Sequence, residues 1–171
     1  MNDSTNQGLA SSSRIDEADV VVVGGGVAGT MAAVAAARQG ASVVLVERYG
    51  FLGGNATAGA VAQFNSWQTG NGRKVVAGLA DEVVERLRGY GGAREHETFV
   101  MSTGHRMDRV EYAPEVLKLV LDDMVAEAGV RPLLHASLLE VACEGRRVDG
   151  VRVLTKGGVL YLRAGVLIDA S

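Results

Sequence analysis

The run Asp19-Val20-Val21-Val22-Val23 passes directly into Gly24-Gly25-Gly26-Val27-Ala28-Gly29, and this junction constrains the fold more than any other feature of the chain. An apolar, β-branched run with no polar alternation reads as a strand buried on both faces, as at the centre of a parallel sheet. The Gly24-x-Gly26-x-x-Gly29 spacing predicts a tight turn feeding a helix over Val27–Gln39, with Gly40 as its stop. Ala28, Ala32, Ala33 and Ala36 are small enough to let that helix lie close to the sheet. Ser42-Val43-Val44-Leu45-Val46 reads as a second buried strand, ended by the charged pair Glu47-Arg48. Strand, glycine turn, helix and strand make one right-handed βαβ unit.

Each glycine of the turn has a separate physical role. The first permits the chain reversal, the second lets the backbone approach a pyrophosphate, and the third allows close helix–strand packing. The N-terminus of the following helix adds unpaired N–H groups and a positive dipole end. Glu47 falls about twenty residues further on, at a strand end, where a ribose hydroxyl is held. Turn, flanking elements and carboxylate together predict a Rossmann-type dinucleotide site. The phosphates are expected over Gly24, Gly25, Gly26, Val27, Ala28 and Gly29, and the adenosine ribose on Glu47 with Arg48 beside it. The Glu47 carboxylate disfavours NADP, whose 2′-phosphate it would repel.

The rest of the chain reads as further elements of one α/β domain. Met1 to Glu17 is rich in Asn, Ser and Gly and is expected to form a disordered tail, with the folded domain spanning 18–171. Phe51–Lys74 is loop-like, Leu79–Gly89 a short helix, and Gly91–Val110 polar and irregular. Pro114 suits the first turn of another helix, whose apolar stripe is Leu117, Val120, Leu121, Met124, Val125 and Ala128. A third strand follows at Arg131–His135. Strand-like runs at 138–143, 148–155 and 159–164, joined by short turns, read as an antiparallel meander, and Val166-Leu167-Ile168 as another buried strand. The expected architecture is a parallel sheet with flanking helices on one side and a three-stranded antiparallel β-meander on the other.

Two of these features favour FAD over NAD. The meander stands where a nicotinamide domain usually continues with a helix. Phe51-Leu52-Gly53-Gly54-Asn55-Ala56-Thr57-Ala58-Gly59 also supplies a second glycine-rich loop, suited to bring backbone amides to the pyrophosphate and the flavin. The segments Val22–Gly29, Val46-Glu47-Arg48, Gly53–Thr57 and Val166–Ser171 resemble those of the FAD-dependent oxidoreductases of the glutathione-reductase-like superfamily, in the branch similar to fumarate reductase and succinate dehydrogenase flavoproteins. The resemblance covers residues 18 to 171. It implies FAD in extended form, hydride transfer through flavin N5, and a flavin end near Gly53, Gly54, Asn55, Ala56 and Thr57. It further implies an adenine edge near the Leu138 backbone, and a strand ending in Asp169-Ala170 that leads toward the cofactor. No histidine lies in the 50–66 loop, so the cofactor is expected to be non-covalent. The family pattern continues past this point with Gly-Asp and a substrate domain. The expectation is therefore an incomplete FAD-binding portion whose site a second polypeptide or a further copy completes, with a small-molecule substrate. A non-catalytic fragment or partner-dependent subunit keeping the fold is the alternative, and an NAD-binding module a weaker one.

Bulk composition excludes other classes. A chain of 171 residues suits one domain, and 47% hydrophobic with 22% charged residues suits a compact fold. A net charge of −3 without a basic run offers nucleic acid no electrostatic footprint. The apolar stretch Val20–Ala37 is interrupted by the glycine turn and preceded by Asp16, Glu17 and Asp19, so neither an anchor nor a signal is expected, and the cytoplasm is the default location. The lone Cys143 rules out a dithiol relay and is expected to pack in its strand. His96, His105 and Arg106 are expected on an exposed loop, His135 at a strand edge, and Trp67 buried beneath the 51–74 loop. No side-chain cluster has metal-ligand spacing.

Overall fold

The computed structural model describes residues 14–69 and 71–171. The tail expected at 1–17 lies outside the described residues up to 13; from Arg14 onward the chain is already strand. β1 (Arg14–Val23) leads through the glycine turn into α1 (Val27–Arg38) and β2 (Val43–Val46). β3 (Gln63–Asn65), α2 (Leu79–Gly89), β4 (Glu97–Val100), β5 (Arg106–Glu111), α3 (Pro114–Glu127) and β6 (Arg131–Leu133) follow. β7 (Ser137–Glu144), β8 (Arg147–Thr155) and β9 (Gly158–Asp169) complete the described elements. Among the described residues no helix is long and apolar enough to cross a membrane.

The main sheet has the order β6-β2-β1-β9-β8-β7. β1 runs parallel to β2 and to β9, and β2 parallel to β6, while β7, β8 and β9 pair antiparallel. The valine run is buried on both faces because each face has its own cover. Val22, with Val43 and Leu45 of β2, meets Ala33 and Val34 of α1, Val83 and Leu87 of α2, and Leu117 and Leu121 of α3. Val21 and Val23, with Val44 and Val46, meet Val151 and Val153 of β8 and Leu162 of β9. The meander thus curls over the face that the helices leave open.

Four expectations are corrected. The runs at 159–164 and 166–168 are one strand, β9, which closes the meander and then runs beside β1; its pairing with β1 skips Gly165, where a Cβ would stand 2.9 Å from the Asp19 carbonyl oxygen. The segments 51–74 and 91–110 are not wholly irregular, since β3, β5 and β4 form a second antiparallel sheet. Along β5 and one residue past it, Asp108, Val110 and Tyr112 alternate inward, and all three are buried. A buried carboxylate at the first of these positions hides the period-two pattern from a hydrophobicity reading. Cys143 is exposed on β7, an edge strand of the main sheet, and does not pack. On α1 the buried residues are Gly29, Thr30, Ala33 and Val34, so Ala28 faces solvent. Trp67 is buried, as expected, with 4% exposure.

An ion network joins α1, α2 and α3. Glu82 accepts from Arg38 at 2.7 Å and from Arg86 at 2.9 Å, and Arg86 reaches Glu127 at 2.6 Å. The hydrogen bonds from Arg38, opposed by burial and reinforced by Arg86, hold the Glu82 carboxyl down at about 2. A carboxyl depressed in the folded state contributes stability above its unfolded value that fades as pH falls through the folded one. Glu82 should therefore supply on the order of 1 kcal/mol at neutral pH, after solvent screening, lost progressively between about pH 4.5 and pH 2. Urea midpoints of wild type and Glu82→Gln should converge across that window; a constant gap down to pH 2 would refute the assignment.

Candidate functional site

The carboxyl ends of β1, β2 and β9 open into a cleft of about 700 Å³. Its wall includes Gly24, Gly26, Glu47, Arg48, Gly54, Asn55, Leu138 and Ala170, all expected from sequence, together with Tyr49, Ser137 and Ser171, which were not. An open α/β sheet binds ligands at this end, where strand order reverses between neighbours on either side of the first strand.

The glycine turn is built as its spacing demands. Gly24 adopts φ of +101°, and a Cβ there would stand 2.5 Å from the Ala170 carbonyl oxygen, so the turn and the end of β9 are packed main chain to main chain. The Ala170 N–H donates to the Val23 carbonyl at 2.8 Å and fixes that junction. α1 begins at Gly26 with no side-chain cap, which leaves its first-turn N–H groups for a ligand.

Glu47 is only 6% exposed and is already engaged. Its Oε2 accepts the Gly25 N–H at 2.7 Å and its Oε1 the Tyr49 N–H at 2.8 Å. The Glu47 main chain pairs with Leu133 and Ala136, which brings Ser137 and Leu138 to the same end of the cleft. A carboxylate has about four lone-pair sites, so two amide bonds leave capacity for ribose hydroxyls. Arg48 lies on the rim, its guanidinium 4.7 Å over the Tyr49 ring and its Nη2 donating to the Tyr49 hydroxyl at 3.0 Å.

The second glycine loop reaches the turn directly. The Gly53 N–H donates to the Gly25 carbonyl at 2.8 Å, and a single 3-10 turn spans Gly54–Ala56. Gly54 and Asn55 face the cleft, whereas Ala56 and Thr57 are buried behind them. The Thr57 hydroxyl is spent on the Leu52 carbonyl at 2.7 Å, so it braces the loop from behind. Gly25, Val27, Ala28, Gly29, Gly53 and Asp169 lie outside the cleft lining. Asp169 instead accepts the Ser171 N–H and hydroxyl, and those bonds lower its carboxyl.

Residues 19–171 match the family described as FAD dependent oxidoreductase. The chain belongs to that family. Its relatives include the digeranylgeranylglycerophospholipid reductase of Methanothrix thermoacetophila, 31% identical over 90% of this chain and 39% of the relative. The menaquinone reductase of Mycobacterium tuberculosis is 35% identical over 91% of this chain and 38% of its own length. The chain therefore spans about two fifths of these relatives. Among solved structures, a geranylgeranyl bacteriochlorophyll reductase-like protein of Thermoplasma acidophilum aligns with TM-score 0.65 at 19% identity, over 92% of this chain and 40% of that one. Thermovibrio ammonificans THI4 aligns with TM-score 0.58 at 20% identity, over 91% and 57%. At such identities the likeness is one of fold.

The cleft suits the FAD of this family on its own geometry. A Cβ on Gly26 would meet no protein atom within 4 Å, so the space beside that residue is open for a group pressed against the backbone. The uncapped helix start supplies donors there, and Glu47 supplies acceptors at the other end.

Proposed function

We propose that this chain holds FAD non-covalently along the cleft. In this reading the pyrophosphate lies over Gly24, Gly25 and Gly26 at the start of α1, the adenosine ribose lies on Glu47, and the adenine edge meets the Leu138 backbone. The riboflavin end runs along the loop from Gly53 to Thr57. The observation that carries the reading is the open space at Gly26, set between an uncapped helix start and a buried carboxylate. Bound there, FAD supplies hydride chemistry at its N5 atom, for a reductase acting on a small molecule. The chain's own residues provide fixed main-chain donors for the phosphates, acceptors for the ribose, and a loop braced by Thr57 against the flavin end. The reductase direction is supported by the names of both curated relatives.

Reconstitution tests it. After incubation with FAD and desalting, the chain should retain flavin absorbance, and titration should quench flavin fluorescence to a single-site end point. NAD at the same concentrations should not compete. Absence of both retention and quenching would overturn the reading.

A further inference from the structure

Tyr112 follows β5 and is 6% exposed, its ring stacked on Phe64 at 4.3 Å between centroids. Its hydroxyl does not face the cleft. Its single proton is instead shared between the main-chain carbonyls of Ala56, at 3.1 Å, and of Val61. Those carbonyls belong to the back of the second glycine loop, whose front presents Gly54 and Asn55 to the cleft. Burial pushes the phenol up to about 12, so it stays a donor throughout the neutral range.

The loop is thereby held at two points. At its start the Gly53 N–H is tied to the Gly25 carbonyl, which fixes the loop to the phosphate turn. Between these points its internal bonds are local: Ala56 to Gly53, Thr57 to Gly54, Ala60 to Thr57 and Val61 to Asn55. Such a segment is rigid only while its far end is anchored, and there the Tyr112 hydroxyl acts beside the pairing of β3 with β5 that begins at Gln63. The Tyr112 N–H also donates to the Ala62 carbonyl at 3.0 Å, so main chain and side chain of one residue grip the loop's exit.

We propose that Tyr112 is a positioning residue for the cofactor: its hydroxyl, bonded to the Ala56 and Val61 carbonyls, sets where Gly54 and Asn55 stand against the flavin end of FAD. The proposal rests on the FAD reading of the cleft. It makes the small sheet β3-β5-β4 a working part of the cofactor site, although none of its strands touches the cleft.

Tyr112→Phe removes the hydroxyl and keeps the ring. In the full chain, amides from Ala56 to Val61 should exchange about tenfold faster than in wild type. FAD should bind about three- to tenfold more weakly, as expected for one lost hydrogen-bonding group. The visible circular dichroism of the bound flavin should change shape, since that signal follows the asymmetry of the flavin's surroundings. Val84→Ala is the control: Val84 is 3% exposed, packs with Trp67 and Val110, and makes no bond to the loop. It should lower thermal stability at least as much while leaving loop exchange, FAD affinity and the flavin spectrum unchanged. A Tyr112→Phe chain with wild-type affinity and spectrum, or a Val84→Ala chain that reproduces both changes, would overturn the proposal. A wild-type chain that binds no FAD overturns the cleft reading and this proposal together. Wild-type binding beside an unaltered Tyr112→Phe overturns the proposal alone.

Discussion

Gly26→Val is expected to abolish FAD binding in a chain that still folds, whereas Gly29→Ala is expected to lose the fold itself. Both positions belong to one fingerprint, and the surroundings separate them. Gly26 has φ of −62° and ψ of 177°, which an L-residue adopts without strain, and its Cβ would enter open space. The only intrinsic cost is a poorer N-cap for α1, about 1 kcal/mol. The valine methyls would instead fill the space proposed for the pyrophosphate, and the loss should reach at least about a hundredfold in FAD affinity, roughly 3 kcal/mol. At Gly29 a Cβ would stand 1.9 Å from the Gly24 carbonyl oxygen, main chain against main chain, so turn and helix must separate. That exceeds ordinary overpacking, about 1–3 kcal/mol, in a protein whose total stability is of the order of 5–15 kcal/mol. Far-ultraviolet circular dichroism and FAD titration on the two variants decide it. A Gly26→Val chain that retains FAD would mean that the phosphates lie elsewhere.

The βαβ unit was legible because each residue of it satisfies a local rule and the tertiary rule together. Val20–Val23 has the strand-forming residue type and is also covered on both faces. Gly29 ends a recognisable spacing and also sits where no side chain fits. The cleft residues Gly24, Gly26, Glu47, Gly54 and Ala170 inherit that legibility. The small sheet was not legible, because β3 has three residues, β4 four, and β5 carries Asp108 at an inward position. Nor did periodicity separate β9 from two shorter strands, since Gly165 interrupts it at the point where the strand passes from the meander to β1. Tyr112 was missed for a related reason. Its role depends on carbonyls 51 and 56 residues away, and no local pattern records a contact of that range. Glu47 lines the cleft, as its place at the end of the second strand leads one to expect, while its bonds to Gly25 and Tyr49 require the fold.

Those two bonds make Glu47→Ala the substitution with the widest expected consequences. Hydrogen bonds to a charged group contribute about 1.5–3 kcal/mol each, and deleting the acceptor leaves the buried Gly25 amide without a partner. Stability should therefore fall by about 3–6 kcal/mol before any ligand is considered. FAD affinity should fall as well, about ten- to a hundredfold, if the carboxylate also accepts from the ribose. The two effects need separating, because a loosened phosphate turn weakens FAD even when Glu47 never touches the sugar. An FAD analogue lacking the adenosine 2′-hydroxyl separates them. Wild type should bind that analogue several-fold more weakly than FAD, whereas Glu47→Ala should bind the two alike, since the hydroxyl has lost its acceptor. Glu47→Gln should fall between, because one amide oxygen still accepts while its NH₂ opposes a donor. Equal discrimination between FAD and the analogue in wild type and Glu47→Ala would confine Glu47 to bracing the Gly25 turn and would move the ribose contact to another residue.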